Sequence, residues 1–247
     1  MNLDCLITID EDSYLIHVDP AFALAVTEEF QLYAKEQTQR REEDGGPVFR
    51  SGVEMALLWV ISLFLVFILQ DRDPELSDRF LNSSTALVSD GEFWRPMTAL
   101  FLHGDLGHLL GNVAFGLIFG ILVAATLGAL VGWGLILASG FIGNTVNAVL
   151  HYPDVFRSLG ASTATFGALG LLVGAGIYHG WRNRSYREGL RILLPLFAGL
   201  ILLAQMGVGG PEVDVWGHFW GFLTGVILGI PAALLRGLKD TPAEVPA

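Results

Sequence analysis

GHFWGFLTGVILG, Gly217 to Gly229, is the stretch on which the reading of this chain turns. Gly217, Gly221, Gly225 and Gly229 recur at every fourth position inside an apolar run that extends to about residue 235. A run of about 20 apolar residues covers a hydrocarbon layer of about 30 Å. Small residues at four-residue spacing give a helix a smooth side on which another helix can pack at close range. His218 sits at the top of that side. An ionisable side chain inside a membrane segment points to function. A partner with the same design lies upstream, where GAST (Gly160 to Thr163) precedes Gly167, Gly170 and Gly174. A third polar segment, HGDLGHLLGN (His103 to Asn112), opens another apolar run.

Working outward, apolar runs cover residues 53–70, 106–126, 129–149, 161–180, 191–208 and 215–235. Lipid satisfies no backbone hydrogen bonds, so these runs read as six transmembrane helices. Composition agrees: 52% of the 247 residues are hydrophobic and 16% charged, against about 25% charged in a soluble domain. The net charge of −11 offers no basic surface and excludes nucleic acid as a partner. A single cysteine, Cys5, permits no internal disulfide. No His, Cys and carboxylate set has metal-ligand spacing, so no metal or other cofactor is expected.

Basic residues set the orientation. Lys35, Arg40, Arg41 and Arg50 precede the first run; Arg182, Arg184, Arg187 and Arg191 join the fourth to the fifth; Arg236 and Lys239 follow the sixth. Only Arg72, Arg79, Arg95 and Arg157 fall on the other side. The positive-inside bias therefore places both termini in the cytoplasm, of a cell (inner) membrane. Residues 1–46 form a separate small α/β appendage, acidic and cytosolic or partly disordered. In it, two β-like runs flank the turn residues 10–13, and Asp19-Pro20 starts a helix that fades in the charged run Arg40 to Asp44. Residues 237–247 form a cytosolic tail. The N-terminus is acidic and lacks a long apolar core, so no cleaved signal peptide is read. Residues 71–105 make a long outer loop, whose aromatic end (Phe93, Trp94) suits the membrane interface.

Depth brings the polar segments together. Ser162 precedes Arg182, and His108 precedes Gly128, by 20 residues, each about 30 Å of helix. His218 stands about 27 Å above Arg236, and Asn112 about 24 Å above Gly128. Four polar side chains from three helices thus share one level, slightly below the outer surface. A serine in a glycine-rich membrane helix is commonly only a packing residue; the shared level argues for more. His218 could take the Ser162 proton, and His108, Asn112 and the free backbone N–H groups at the start of the Ser162 helix could hold an oxyanion. No carboxylate stands at that level. Asp214, one turn before His218, reads as solvated, which leaves a Ser-His dyad. Asn144 and Asn147 read as interhelical hydrogen-bonding groups, and His151 and His179 as interfacial.

These residues make the chain resemble the rhomboid intramembrane serine proteases. The resemblance covers residues 50–236 and rests on Trp94-Arg95, His103, His108 and Asn112, GAST with Ser162, and GHFWGFLTG with His218. It implies an all-α, six-transmembrane-helix bundle with Ser162 as nucleophile and His218 as base. His108, Asn112 and the Ser162 backbone would form the oxyanion hole. Gly160, Phe166, Trp94, Arg95 and His103 would support the site, Phe166 by packing on the histidine, Arg95 and His103 by bracing the outer loop. The implied reaction is hydrolysis of a single-pass transmembrane protein in the lipid bilayer, near its outer face. The fifth run and the loop at Gly207 to Pro211 would gate the site. Self-association into a homo-oligomer is compatible with this. Thr163 stands where the usual motif has a second glycine, and Ala124 and Thr126 replace a frequent Glu and Arg. The alternative is a catalytically weak or inactive rhomboid-like chaperone or trafficking factor, whose relatives typically lack the serine or histidine. A transporter using the same polar cluster would be expected to show an inverted repeat, and none is evident.

Overall fold

A computed structural model of the chain describes residues 6–10, 13–44, 48–183 and 213–239. It divides into two compact units, Met1–Pro47 and Val48–Ala247. In the first, strands β1 (Leu6–Asp10) and β2 (Ser13–His17) pair antiparallel, Leu6 opposite His17. The Asp19 carboxylate accepts from the Ala21 N–H at 2.9 Å, and Pro20 opens a 3-10 turn that leads into helix α1 (Ala23–Asp44). The helix continues through the charged run and ends with it, at Asp44. Arg and Glu are good helix formers, and their charge does not oppose an exposed helix. Leu24, Phe30, Leu32 and Tyr33 on α1 are exposed.

The second unit is helical. Helix α2 (Val48–Arg72) leads into an outer loop with three short helices, α3 (Glu75–Phe80), α4 (Ser84–Val88) and α5 (Arg95–Thr98). Helices α6 (Leu106–Leu127), α7 (Ala129–His151), α8 (Ser162–Asn183) and α9 (Val215–Lys239) follow. Four stretches among the described residues are long and apolar enough to cross a membrane: Gly52–Arg72, Leu106–Leu127, Ala129–His151 and Val215–Gly237. The sequence predicts six. The run at 191–208 and the gate at 207–211 lie outside the described residues. The run at 161–180 is helix α8, which is not among the four. It opens on Ser162, Thr163 and Thr165, is studded with glycine, and packs against α9, α7 and α6. A helix enclosed by protein does not need lipid-facing apolarity, and the serine, threonines and glycines lower its hydropathy.

Close backbone approach explains the glycines. A Cβ at Gly170 would collide with the Phe222 carbonyl oxygen, one at Gly225 with the Gly167 oxygen, and one at Gly221 with the Thr163 oxygen. Helices α8 and α9 therefore meet backbone to backbone, as the four-residue spacing predicts. On the other flank, indole rings fill the space: Trp59 lies over Gly116 and Trp133 over Gly120, with ring centroids 5.6 Å apart.

The outer loop is pinned at several points. Arg95 pairs through Nε with the Glu92 carboxylate and donates from Nη1 to the Asp78 and Leu81 carbonyls at 2.7 and 3.3 Å. The Asn82 side chain donates to the Asn144 carbonyl (3.1 Å), and the Asn144 side chain donates to the Pro96 carbonyl (2.9 Å). Strand β3 (Asn82–Ser83) pairs with β4 (Arg157–Ser158), and Ser84 Oγ donates to Asp154 O at 2.7 Å. This fixes the loop to the segment that leads into Ser162.

Candidate active site

Ser162 is the first residue of α8, where N–H groups have no intrahelical acceptor. The turn before it depends on Gly160, whose φ of +124° suits only glycine. Its N–H donates to Ala99 O at 2.9 Å. A Cβ there would stand 2.6 Å from His108 Cε1, 2.7 Å from His108 Nε2 and 3.7 Å from Ser162 Oγ. The missing side chain thus lets the His108 ring lie beside the hydroxyl.

His218 Nε2 lies 2.9 Å from Ser162 Oγ, and the two residues are 4% and 7% exposed. Phe166, one turn below Ser162, stacks on the imidazole at 4.5 Å and 20°. That contact fixes the ring plane. His218 Nδ1 is buried and has no hydrogen-bond partner among the described residues. With the ring proton on Nδ1, Nε2 accepts the Ser162 O–H. Among the described residues, no side chain stands as a third member beside the pair.

Asp105 caps α6, its carboxylate accepting from the His108 N–H at 2.9 Å. Asn112, one turn below, is fully buried. Its Nδ2 donates to His108 O at 3.1 Å, while its Oδ1 has no partner among the described residues. One amide N–H is therefore already engaged along α6. His103 is buried, donates from Nδ1 to Phe101 O at 3.3 Å, and meets His108 edge to face at 5.1 Å. Burial, with His108 beside it, pushes the His103 imidazole down to about 4, so it is neutral at physiological pH. Gln70 grips its backbone from both sides, accepting from His103 N (3.0 Å) and donating to His103 O (3.1 Å). Trp94 is exposed beside Phe93, with centroids 5.6 Å apart, and Arg95 spends its hydrogen bonds within the loop. Among the described residues, no three His, Cys, Asp or Glu side chains converge as a metal site requires.

Comparison with known protein families matches residues 90–234 to the Rhomboid domain. This chain belongs to the rhomboid family. It is similar to Rhomboid-like protease 1 of Toxoplasma gondii, 29% identical over 160 residues that make up 65% of this chain and 53% of the relative. RHOMBOID-like protein 5 of Arabidopsis thaliana is 34% identical over 151 residues, 61% of this chain and 47% of the relative. Rhomboid protease GluP of Bacillus subtilis is 28% identical over 218 residues, 82% of this chain and 40% of the relative. The chain spans about half the length of the first two relatives. Family and apolar helices together make this rhomboid a predominantly helical integral membrane protein.

Two residues singled out in the sequence take their places in the packing of this rhomboid. Thr163, at the position of the motif's second glycine, turns its Cγ2 to the crossing of α7 and α9, where a Cβ on Gly143 or Gly221 would approach it to 2.9 Å. Asp214, expected as a solvated carboxylate, is half-buried and held by Asn147 and the Gly217 N–H. Sequence reasoning also missed Gln70. Neither Gln70 with His103 nor Asn147 with Asp214 is close in sequence, so no local pattern announces either pair.

Proposed function

We propose that this rhomboid is an intramembrane serine endopeptidase that cleaves single-pass transmembrane proteins near the outer membrane face. The 2.9 Å contact between Ser162 Oγ and His218 Nε2 carries the reading. Ser162 attacks the scissile carbonyl as His218 takes its proton, giving a tetrahedral intermediate. His108, Asn112 and the Ser162 backbone N–H hold the oxyanion, Asn112 by turning its amide from His108 O towards the new charge. His218 then returns the proton to the leaving amine, and water, activated by the same imidazole, releases the acyl group. A helical substrate hides its carbonyls in hydrogen bonds, so cleavage falls near Gly, Ala, Ser or Pro, where the helix opens readily. Gly160, Phe166, Trp94, Arg95 and His103 support the site, Phe166 by stacking on the His218 ring.

The same reading assigns six spans, with the fifth at 191–208, both termini in the cytoplasm of the cell membrane, residues 1–46 and 237–247 as cytosolic appendage and tail, and room for self-association. An inactive chaperone is disfavoured because both Ser162 and His218 are present and in contact. The test is cleavage of a transmembrane substrate in proteoliposomes by wild type, Ser162→Ala and His218→Ala. Cleavage by wild type alone is expected; equal cleavage by all three would end the protease reading.

A further inference from the structure

Helix α9 begins with a carboxylate that is tied to another helix. The Asp214 side chain accepts from the Gly217 N–H at 2.8 Å, and its carbonyl accepts from the His218 N–H at 3.1 Å. It therefore caps the turn that carries His218, satisfying N–H groups that a helix start leaves open. Gly217 makes room, since a Cβ there would collide with Asp214 Oδ2. From α7, Asn147 Nδ2 donates to both carboxylate oxygens, at 2.8 and 3.0 Å. Bonds to an ionised acceptor are among the stronger ones available.

Two observations make Asn147 more than a packing residue. It is fully buried, and its Oδ1 has no partner among the described residues, an arrangement that costs stability where an apolar side chain would not. Its helix is also the common support of both halves of the dyad. One turn earlier, Gly143 lies against Gly221 and Thr163, and Gly140 against Ala164. Helix α7 thus touches both helices through small residues, and holds the start of the helix of His218 through one amide.

We propose that Asn147 is a positioning residue: by clamping the Asp214 cap to α7, it sets the height and rotation of His218 against Ser162. The clamp does for the imidazole what a third carboxylate would otherwise do, but through the backbone of α9 rather than by touching Nδ1. The role rests on the proposed protease reaction.

The test measures kcat and KM of the reconstituted full chain on a transmembrane substrate for Asn147→Ala, Asn147→Asp, Asp214→Asn and the swap Asn147→Asp with Asp214→Asn. A misplaced base slows chemistry, so each single variant should lose about 10-fold or more in kcat, with KM within about 2-fold. Asn147→Asp, which sets two carboxylates face to face, should lose most. The swap restores one amide and one carboxylate, and should return kcat to within about 3-fold of wild type. Hydrogen exchange at the Gly217 and His218 amides should quicken about 10-fold in the single variants and slow again in the swap. Single variants with wild-type kcat and exchange, or a swap no better than the worse single, would overturn the clamp. Should the single variants fail to fold, the swap decides alone: activity supports the clamp, failure overturns it. Absence of Ser162-dependent cleavage in wild type defeats the proposed function instead, and the exchange rates then decide the clamp by themselves.

Discussion

The two sides of the candidate site are held by different means. On the dyad side, α8 and α9 meet backbone to backbone, with Gly170 under the Phe222 carbonyl and Gly225 under the Gly167 carbonyl. On the oxyanion side, His108 and Asn112 sit on α6 behind polar ties: the Asp105 cap, the Gln70 grip on His103 and the His103–His108 ring contact. Close packing of small residues leaves little freedom, which suits a nucleophile and base that must stay within hydrogen-bonding distance. Polar ties can be exchanged for others. Asn112, whose amide donates to His108 O at 3.1 Å, has such a bond to give up when charge develops. In the proposed reaction the nucleophile would be preset and the oxyanion donors held in reserve.

The comparison can be broken in order of expected effect. Ser162→Ala should lower turnover by about 10⁴-fold or more without shifting the unfolding midpoint, since it deletes the nucleophile and one buried hydroxyl. A scan of activity and melting in the same detergent checks both halves. Gly225→Val drives a side chain into the Gly167 carbonyl and should destabilise the fold by about 3 kcal/mol or more, taking activity with it. Yield of monodisperse protein and the unfolding midpoint report that. On the oxyanion side, Asn112→Ala should cost about 10²-fold in kcat, the scale of one lost donor, with a folded protein remaining. Loss of fold there would mean that the polar side is as rigid as the glycine side. The smallest effect is expected for Thr163→Gly. Its Cγ2 packs at Gly143 and Gly221, so activity should stay within about 3-fold, while the lost methyl packing and the helical glycine together lower stability by about 1 kcal/mol.

How far the sequence could be read divides along the same line. Periodic features were readable: the glycine spacing at Gly221, Gly225 and Gly229 foretells the α8–α9 contact, and counting rise along the helices brings Ser162 and His218 to one depth. The helix start at Asp19-Pro20 was equally plain, because capping is local. What escaped was either masked by burial or non-local. Helix α8 carries too many small and hydroxylated residues to rank with the lipid-facing spans, because protein surrounds it. Asn147 and Asp214 come from different helices, so their bond follows only from packing. At Thr163 the motif names a residue type and not the direction of its side chain, which only the packing against α7 and α9 supplies.

The central claim is that Ser162 and His218 form a working pair in the membrane, and reaction with a fluorophosphonate tests it without any assumption about substrate. In bilayers at neutral pH, wild type should gain one phosphonyl group on Ser162, read by intact mass and peptide mapping. Ser162→Ala should gain none, and His218→Ala should react about 10²-fold more slowly or worse, since an unassisted serine is a poor nucleophile. Labelling of His218→Ala at the wild-type rate, or an adduct elsewhere that persists in Ser162→Ala, would contradict the account.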